Sequence, residues 1–176
     1  MDDDNAGAGQ RGENLECRPP TRDDLVSLCR ELNQRGVRYI VVGGQAMIAT
    51  GFLRATGDID LLVASDAENE GKVFSALATL PDKAVRELQP GELRQFTVIR
   101  VADEILVDLM ASAGGFYYDS AMQQCVVQEV DGVLIPFASP MLLWRMKAVT
   151  HRAKDAEDLL FLRQLFAEQG LEPPPP

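Results

Sequence analysis

Histidine is nearly missing from this sequence: His151 is the only one. Cysteine is sparse, with Cys17, Cys29 and Cys125 at wide spacings and no Cys-x-x-Cys pair. An odd number of scattered thiols argues against a disulfide framework or a cysteine-based zinc site, and points to a reducing cytoplasm. A single histidine leaves no room for a hydrolase that needs a second one, and His151 reads as structural or exposed. No apolar run approaches the roughly eighteen residues of a membrane span. The acidic start, Met1-Asp2-Asp3-Asp4, has no apolar stretch behind it and is no secretory signal. Positive charge is in deficit as well, with 17 Lys and Arg against 27 Asp and Glu, a net charge of −10. Such a balance repels polyanions and disfavours non-specific nucleic-acid binding. Only the stretch from Arg145 to Lys154 is locally basic.

What is present is enough apolar material for a core: 46% of the 176 residues are hydrophobic, which fits one domain, or one domain with a small helical appendage. Residues 1–20 and 171–176, rich in Asp, Gly, Asn and Pro, read as flexible tails. Between them lie a mixed core over 21–138 and C-terminal helices over 139–170 that pack on it. A helix is expected from near Thr21 to Arg35, where Thr21 and Asp24 can form a capping box, Leu25, Leu28, Cys29 and Leu32 make one stripe, and Gly36 ends it. Arg38–Val42 reads as a strand stopped by Gly43-Gly44, Gln45 to about Phe52 as a helix, Ile59–Ala64 as a buried strand and Ala67–Leu80 as a helix. Phe96–Val101 and Ile105–Met110 read as further strands turning at Ala102-Asp103-Glu104. Cys125–Val130 and Val133–Phe137 form a hairpin around Asp131-Gly132. Ser139-Pro140 then caps a helical region. Strands and helices in this order give an α+β class with helices gathered toward the C-terminus.

Three carboxylates stand out. Asp58 and Asp60 open a strand two residues apart, so both project from one face while Ile59 faces the core. Adjacent anions repel unless a cation compensates, and a divalent ion with oxygen ligands does so. Asp108 lies inside the apolar run Ile105–Met110, where a lone acid needs a partner. That partner is either an arginine such as Arg100 or, if the two strands are neighbours, the other acids. Three such carboxylates can hold two metal ions about 3.5–4 Å apart, the arrangement used for in-line phosphoryl displacement.

Gly43-Gly44 allows close approach of backbone to a ligand, although the surrounding residues form neither a Walker loop nor a GxGxxG fingerprint. Arg54 and Thr56 fall between the following helix and Asp58. Arg54 either balances the acids or holds a triphosphate, or else is a solvated surface arginine. Phe116-Tyr117-Tyr118 reads as packing rather than as a base-stacking site.

The run Val42-Gly43-Gly44-Gln45-Ala46, Gly51, Arg54, Thr56, Asp58-Ile59-Asp60-Leu61 resembles the signature of the polymerase-β-like nucleotidyltransferase superfamily. The Gly-Gly-x-Ala and Arg-x-Thr-x-Asp-Ile-Asp forms look most like the AbiEii-type group, the toxin side of certain abortive-infection systems, and its small relatives. Asp108 in its Val-Asp-Leu strand, Ser139-Pro140, Lys147, and Arg152-Ala153-Lys154-Asp155 with Asp158 are similar to that group's later elements. The likeness spans roughly residues 37–165. Members of the group usually carry a larger C-terminal helical region than this chain.

The resemblance implies a polymerase-β-like core and a break between two short C-terminal helices near His151 to Lys154. It implies a nucleoside triphosphate as substrate, with Mg2+ or Mn2+ bound by Asp58, Asp60 and Asp108. Asp108 would also help deprotonate the acceptor hydroxyl. Gly43 and Gly44 would cradle the triphosphate, with Arg54, Thr56, Lys147 and Lys154 completing the nucleotide site. Lys147 is expected to point back toward the glycine turn and Lys154 to pair with Asp158 one turn on. The acceptor is left open among tRNA, protein and a small molecule, as is an antitoxin-type protein partner. A non-catalytic nucleotide-binding or antitoxin-partnered module is the competing class, and the presence of all three acids counts against it.

Overall fold

The computed structural model describes residues 17–150 and 152–175. His151, Pro176 and the first sixteen residues of the expected N-terminal tail lie outside the described residues. Fifteen regular elements follow one another among those described. They are α1 (Arg22–Gln34), β1 (Tyr39–Val42), α2 (Gly43–Ala49), β2 (Asp58–Val63), α3 (Ala67–Leu77), α4 (Glu92–Gln95), β3 (Ile99–Ala102) and β4 (Leu106–Met110). Then come β5 (Ser112–Ala113), β6 (Phe116–Tyr117), α5 (Tyr118–Met122), β7 (Cys125–Val130), β8 (Val133–Ala138), α6 (Pro140–Ala148) and α7 (Ala156–Glu168).

Six strands form one mixed sheet in the order β3-β4-β2-β1-β8-β7. β1 runs antiparallel to β2 and parallel to β8, while β2 runs parallel to β4. The two central strands bury almost everything: all four residues of β1 and four of the six in β2 are inside. Only Asp58 and Asp60 in β2 are less than fully buried, and both lie at the strand's first turn of pleat. α1 covers one face, packing on α3 and β8 through Leu25, Val26, Leu28, Cys29 and Leu32. Each such buried aliphatic contributes roughly 1.5–3 kcal/mol. α6 packs against α2, β8 and α7.

The expected Thr21 capping box is present: the Thr21 hydroxyl accepts from the Asp24 backbone while the Asp24 carboxylate accepts from the Thr21 backbone. Arg18, within the expected tail of residues 1–20, extends this cap. Its guanidinium bonds Asp24 at 2.6 and 2.9 Å, and its backbone N–H donates to the Glu104 carbonyl beside Ile105. The Pro-rich end is likewise tied, because the Trp144 indole donates to the Pro174 carbonyl at 2.9 Å.

Boundaries shift where local chemistry competes with pattern. α2 starts on the glycines themselves and stops at Ala49, because Gly51 adopts φ +100°. α3 stops at Leu77, four residues before Pro81, whose ring disfavours helix in the residue preceding it. Residues 92–95 form α4, so β3 begins only at Ile99, and Phe96 and Val98 are exposed. The C-terminal region does break: α6 ends at Ala148, Ala153–Asp155 makes one 3-10 turn, and α7 follows. The Phe52 and Phe161 rings stack 4.6 Å apart, fastening α7 to the segment after α2. No helix among the described residues is long and apolar enough to cross a membrane.

Candidate active site

Strand register builds the site. Asp60 is aligned with Asp108 across the parallel β2–β4 pair and with Val42 across the antiparallel β1–β2 pair. The third acid and the glycine turn that follows Val42 are thereby placed on either side of Asp60. Asp58, Asp60 and Asp108 each offer a carboxylate oxygen, and these oxygens all lie within 4.8 Å of one another.

The two glycines are required by this geometry. Gly43 adopts φ +60°, and a Cβ there would lie 2.6 Å from Asp60 Cγ. A Cβ on Gly44 would lie 2.8 Å from Thr56 Cβ. The Thr56 hydroxyl in turn donates to Asp58 Oδ1 at 3.1 Å, orienting the first acid.

Crowding shows in the ionisation of Asp60. Burial, reinforced by the charges of Asp58 and Asp108, pushes its carboxyl up to about 6; the Gly44 backbone N–H and the charge of Lys154 pull the other way. Asp108 is 5% exposed and takes both nitrogens of a fork from Arg100, Nε to Oδ1 at 2.9 Å and Nη2 to Oδ2 at 2.8 Å. The arginine partner and the neighbouring acids, two alternatives in sequence, are thus both present.

These groups line one cleft of about 650 Å³, within the usual range for a small-molecule site. The cleft brings together Asp58, Asp60, Asp108, Gly43, Gly44, Arg54, Thr56, Lys147 and Lys154. None of Phe116, Tyr117 and Tyr118 lines it. The Tyr118 ring instead faces the Arg38 guanidinium, 5.9 Å away.

The cations are arranged differently from expectation. Asp158 pairs not with Lys154 but with Arg54, whose Nη1 reaches both oxygens at 2.6 Å, and with Lys147 at 2.7 Å. Lys147 also donates to Asp155 Oδ1 at 2.9 Å, and this lysine and both aspartates are buried. The reason is the break after α6. The 3-10 turn carries Asp155 back under the last turn of α6, so Lys147 meets the start of α7, while Lys154 is turned outward. Burial raises the Asp155 carboxyl, but hydrogen bonds from Thr150 and Lys147, with Arg152, outweigh it and hold the group down to about 2. Lys154 is exposed on the cleft wall and, among the described residues, makes no ion pair. Thr150 joins this wall and was not singled out from sequence; Arg152, quoted only as part of the Arg-Ala-Lys-Asp run and given no role there, joins it too.

A mixed sheet whose parallel neighbours β2 and β4 present three acids beside a double-glycine turn defines a nucleotidyltransferase-like protein. The chain belongs to the family described as nucleotidyl transferase of unknown function (DUF2204), which it matches over residues 21–172. No curated protein matches the sequence. Among solved structures the chain is similar to an antigenic nucleotidyltransferase-like protein from Paracoccidioides brasiliensis, at 19% identity over 84% of this chain and 78% of that one, with a TM-score of 0.53. It is also similar to the antibiotic-resistance factor ANT(2'')-Ia, at 16% identity over 85% and 88% of the two chains, with a TM-score of 0.50. At such identities the likeness is one of fold, and the fold is the nucleotidyltransferase core expected from sequence.

Proposed function

We propose that this protein transfers a nucleoside monophosphate from a nucleoside triphosphate to a hydroxyl acceptor, using Mg2+ or Mn2+ held by Asp58, Asp60 and Asp108. The observation that carries the reading is the convergence of three carboxylates within 4.8 Å beside the Gly43-Gly44 turn. The donor set fits the ion: all-oxygen, hard and anionic, with Asp60 short of positive charge. A bound divalent cation would neutralise charge on the reacting phosphate and favour the ionised acceptor hydroxyl.

The protein's own residues do the rest. Thr56 fixes the Asp58 carboxylate, and the glycine turn lets phosphate oxygens approach the backbone. Asp108 accepts the proton of the attacking hydroxyl, and pyrophosphate leaves on the opposite side of the α-phosphorus. Most of the rate enhancement comes from positioning and charge neutralisation. Lys154 is the cation we assign to the triphosphate, since Arg54 and Lys147 are committed to Asp155 and Asp158 and shape the wall that carries it. Lys154→Ala is therefore expected to weaken metal–triphosphate binding by about 1.5–3 kcal/mol with no change in melting temperature, measured by calorimetry and thermal melts.

The resemblance to the AbiEii-type group supports a toxin-like role under an antitoxin-type partner, with tRNA, protein or a small molecule as acceptor. Incubation with each α-labelled triphosphate, Mg2+ or Mn2+ and cell extract tests the whole reading. Label is expected on one acceptor class, with none transferred by Asp60→Asn. Triphosphate binding without transfer under every combination would leave a nucleotide-binding module.

A further inference from the structure

Arg100 and Asp108 form an unequal pair. Arg100 is aligned with Asp108 across the antiparallel β3–β4 pair, and its fork engages both carboxylate oxygens. The Asp108 side chain is 7% exposed and cannot move without disturbing β4, whereas the Arg100 side chain is 61% exposed. β3 alternates inside and outside, with Ile99 and Val101 buried and Arg100 on the outward face. The guanidinium can therefore leave its partner without loss of core packing.

The same fork stands in the way of a cation. A carboxylate has about four lone-pair sites, and Arg100 takes one on each oxygen of Asp108. A divalent ion approaching Asp108 meets like charge and an acceptor site already taken on each oxygen, while Asp58, among the described residues, is held only by the Thr56 hydroxyl. A metal ion alone provides no new partner for the displaced guanidinium. A metal–triphosphate complex does, since its anionic oxygens would lie in the cleft that Arg100 lines. Only a ligand with such a differential interaction shifts the equilibrium between the paired and released arginine.

We propose that Arg100 is a latch on Asp108: it keeps the third carboxylate out of metal coordination until a triphosphate arrives with the metal. Metal and nucleotide then bind cooperatively, and Asp108 is the last of the three acids to be engaged. Arg100 is a positioning residue in this scheme, and the scheme rests on the metal-dependent reading above.

The test is Mn2+ affinity by calorimetry, with and without a non-hydrolysable triphosphate, in the full chain. Arg100→Gln should bind Mn2+ alone about tenfold more tightly than wild type, the lower end of what a charged hydrogen-bonded pair allows because solvent screens this one. The gain in Mn2+ affinity on adding triphosphate should shrink accordingly. Arg100→Lys keeps the charge but not the fork and should fall between the two; it also carries the test if Arg100→Gln does not fold. Arg152→Gln removes a cleft arginine that bonds Asp155 instead, and should leave Mn2+ affinity near wild type. Equal affinity in Arg100→Gln and wild type overturns the latch, as does an Arg100→Lys variant like wild type or an equal gain in Arg152→Gln. If wild type binds Mn2+ and Asp60→Asn does not, those failures sink the latch alone. If no variant binds Mn2+ and Asp60→Asn changes nothing, the metal reading falls and the latch with it.

Discussion

Asp60→Asn should raise the melting temperature of the metal-free protein at pH 7 while abolishing metal-dependent triphosphate binding. The Asp60 carboxyl is pushed from its ordinary 3.8 to about 6 by burial and by its two acidic neighbours. Between those values the folded state keeps a proton that the unfolded chain has already released. Stability is therefore highest at the acid end of this window and falls as pH rises from about 4 to 6, by roughly 3 kcal/mol. Above pH 6 the whole penalty is present. Asparagine keeps the shape, removes the charge and should flatten that part of the profile. Added Mn2+ should raise the melting temperature of the wild type strongly above pH 6 and weakly below it, since protons compete for the same carboxylate. Thermal melts across pH, with and without Mn2+, provide the check. A variant that melts lower than wild type, or binds triphosphate as well, would make Asp60 a structural acid.

Lys147→Met is expected to cost about 3 kcal/mol of unfolding free energy, the low end for breaking a buried ion pair. Its ammonium bridges Asp155 and Asp158 at 2.9 and 2.7 Å, and both aspartates are almost wholly enclosed. The remaining partners, Thr150 and Arg152 on Asp155 and Arg54 on Asp158, limit the loss. The same substitution should loosen α7 from α6 and so weaken nucleotide binding indirectly. Urea denaturation gives the stability, and calorimetry below the transition gives the binding. Unchanged stability together with weakened binding would instead return Lys147 to direct phosphate contact.

Much of the architecture was legible because its causes are local. The Thr21–Asp24 cap, the β-branched run into Gly43-Gly44, the Asp131-Gly132 turn and the Ser139-Pro140 start all act within four residues. The period-two spacing of Asp58 and Asp60 around Ile59 likewise states which face they share. Short elements such as α4 and the β5–β6 ribbon were missed. They bury too little to leave a periodic signal, and the ribbon is held by Gly114 lying against the Met146 backbone, where a Cβ would come within 2.5 Å of Cα. That contact joins residues distant in sequence and has no local signature.

The cation assignments show where local reasoning stops. A step of four residues suggested Lys154 with Asp158, but pairing by helical spacing presumes one continuous helix. The break between α6 and α7 replaces it with contacts over eight and eleven residues, Lys147 with Asp155 and Asp158, and over a hundred with Arg54. By itself the sequence determined which acids share one face of a strand, which strands hold them and which turn must be glycine, because backbone sterics and side-chain alternation act between near neighbours. Only the tertiary structure decided which charges meet. Register across the sheet set Asp60 against Asp108 and Arg100 against Asp108, and the fold-back of α7 gave Asp158 to Lys147 and Arg54, because a buried carboxylate takes whichever cation packing brings within reach.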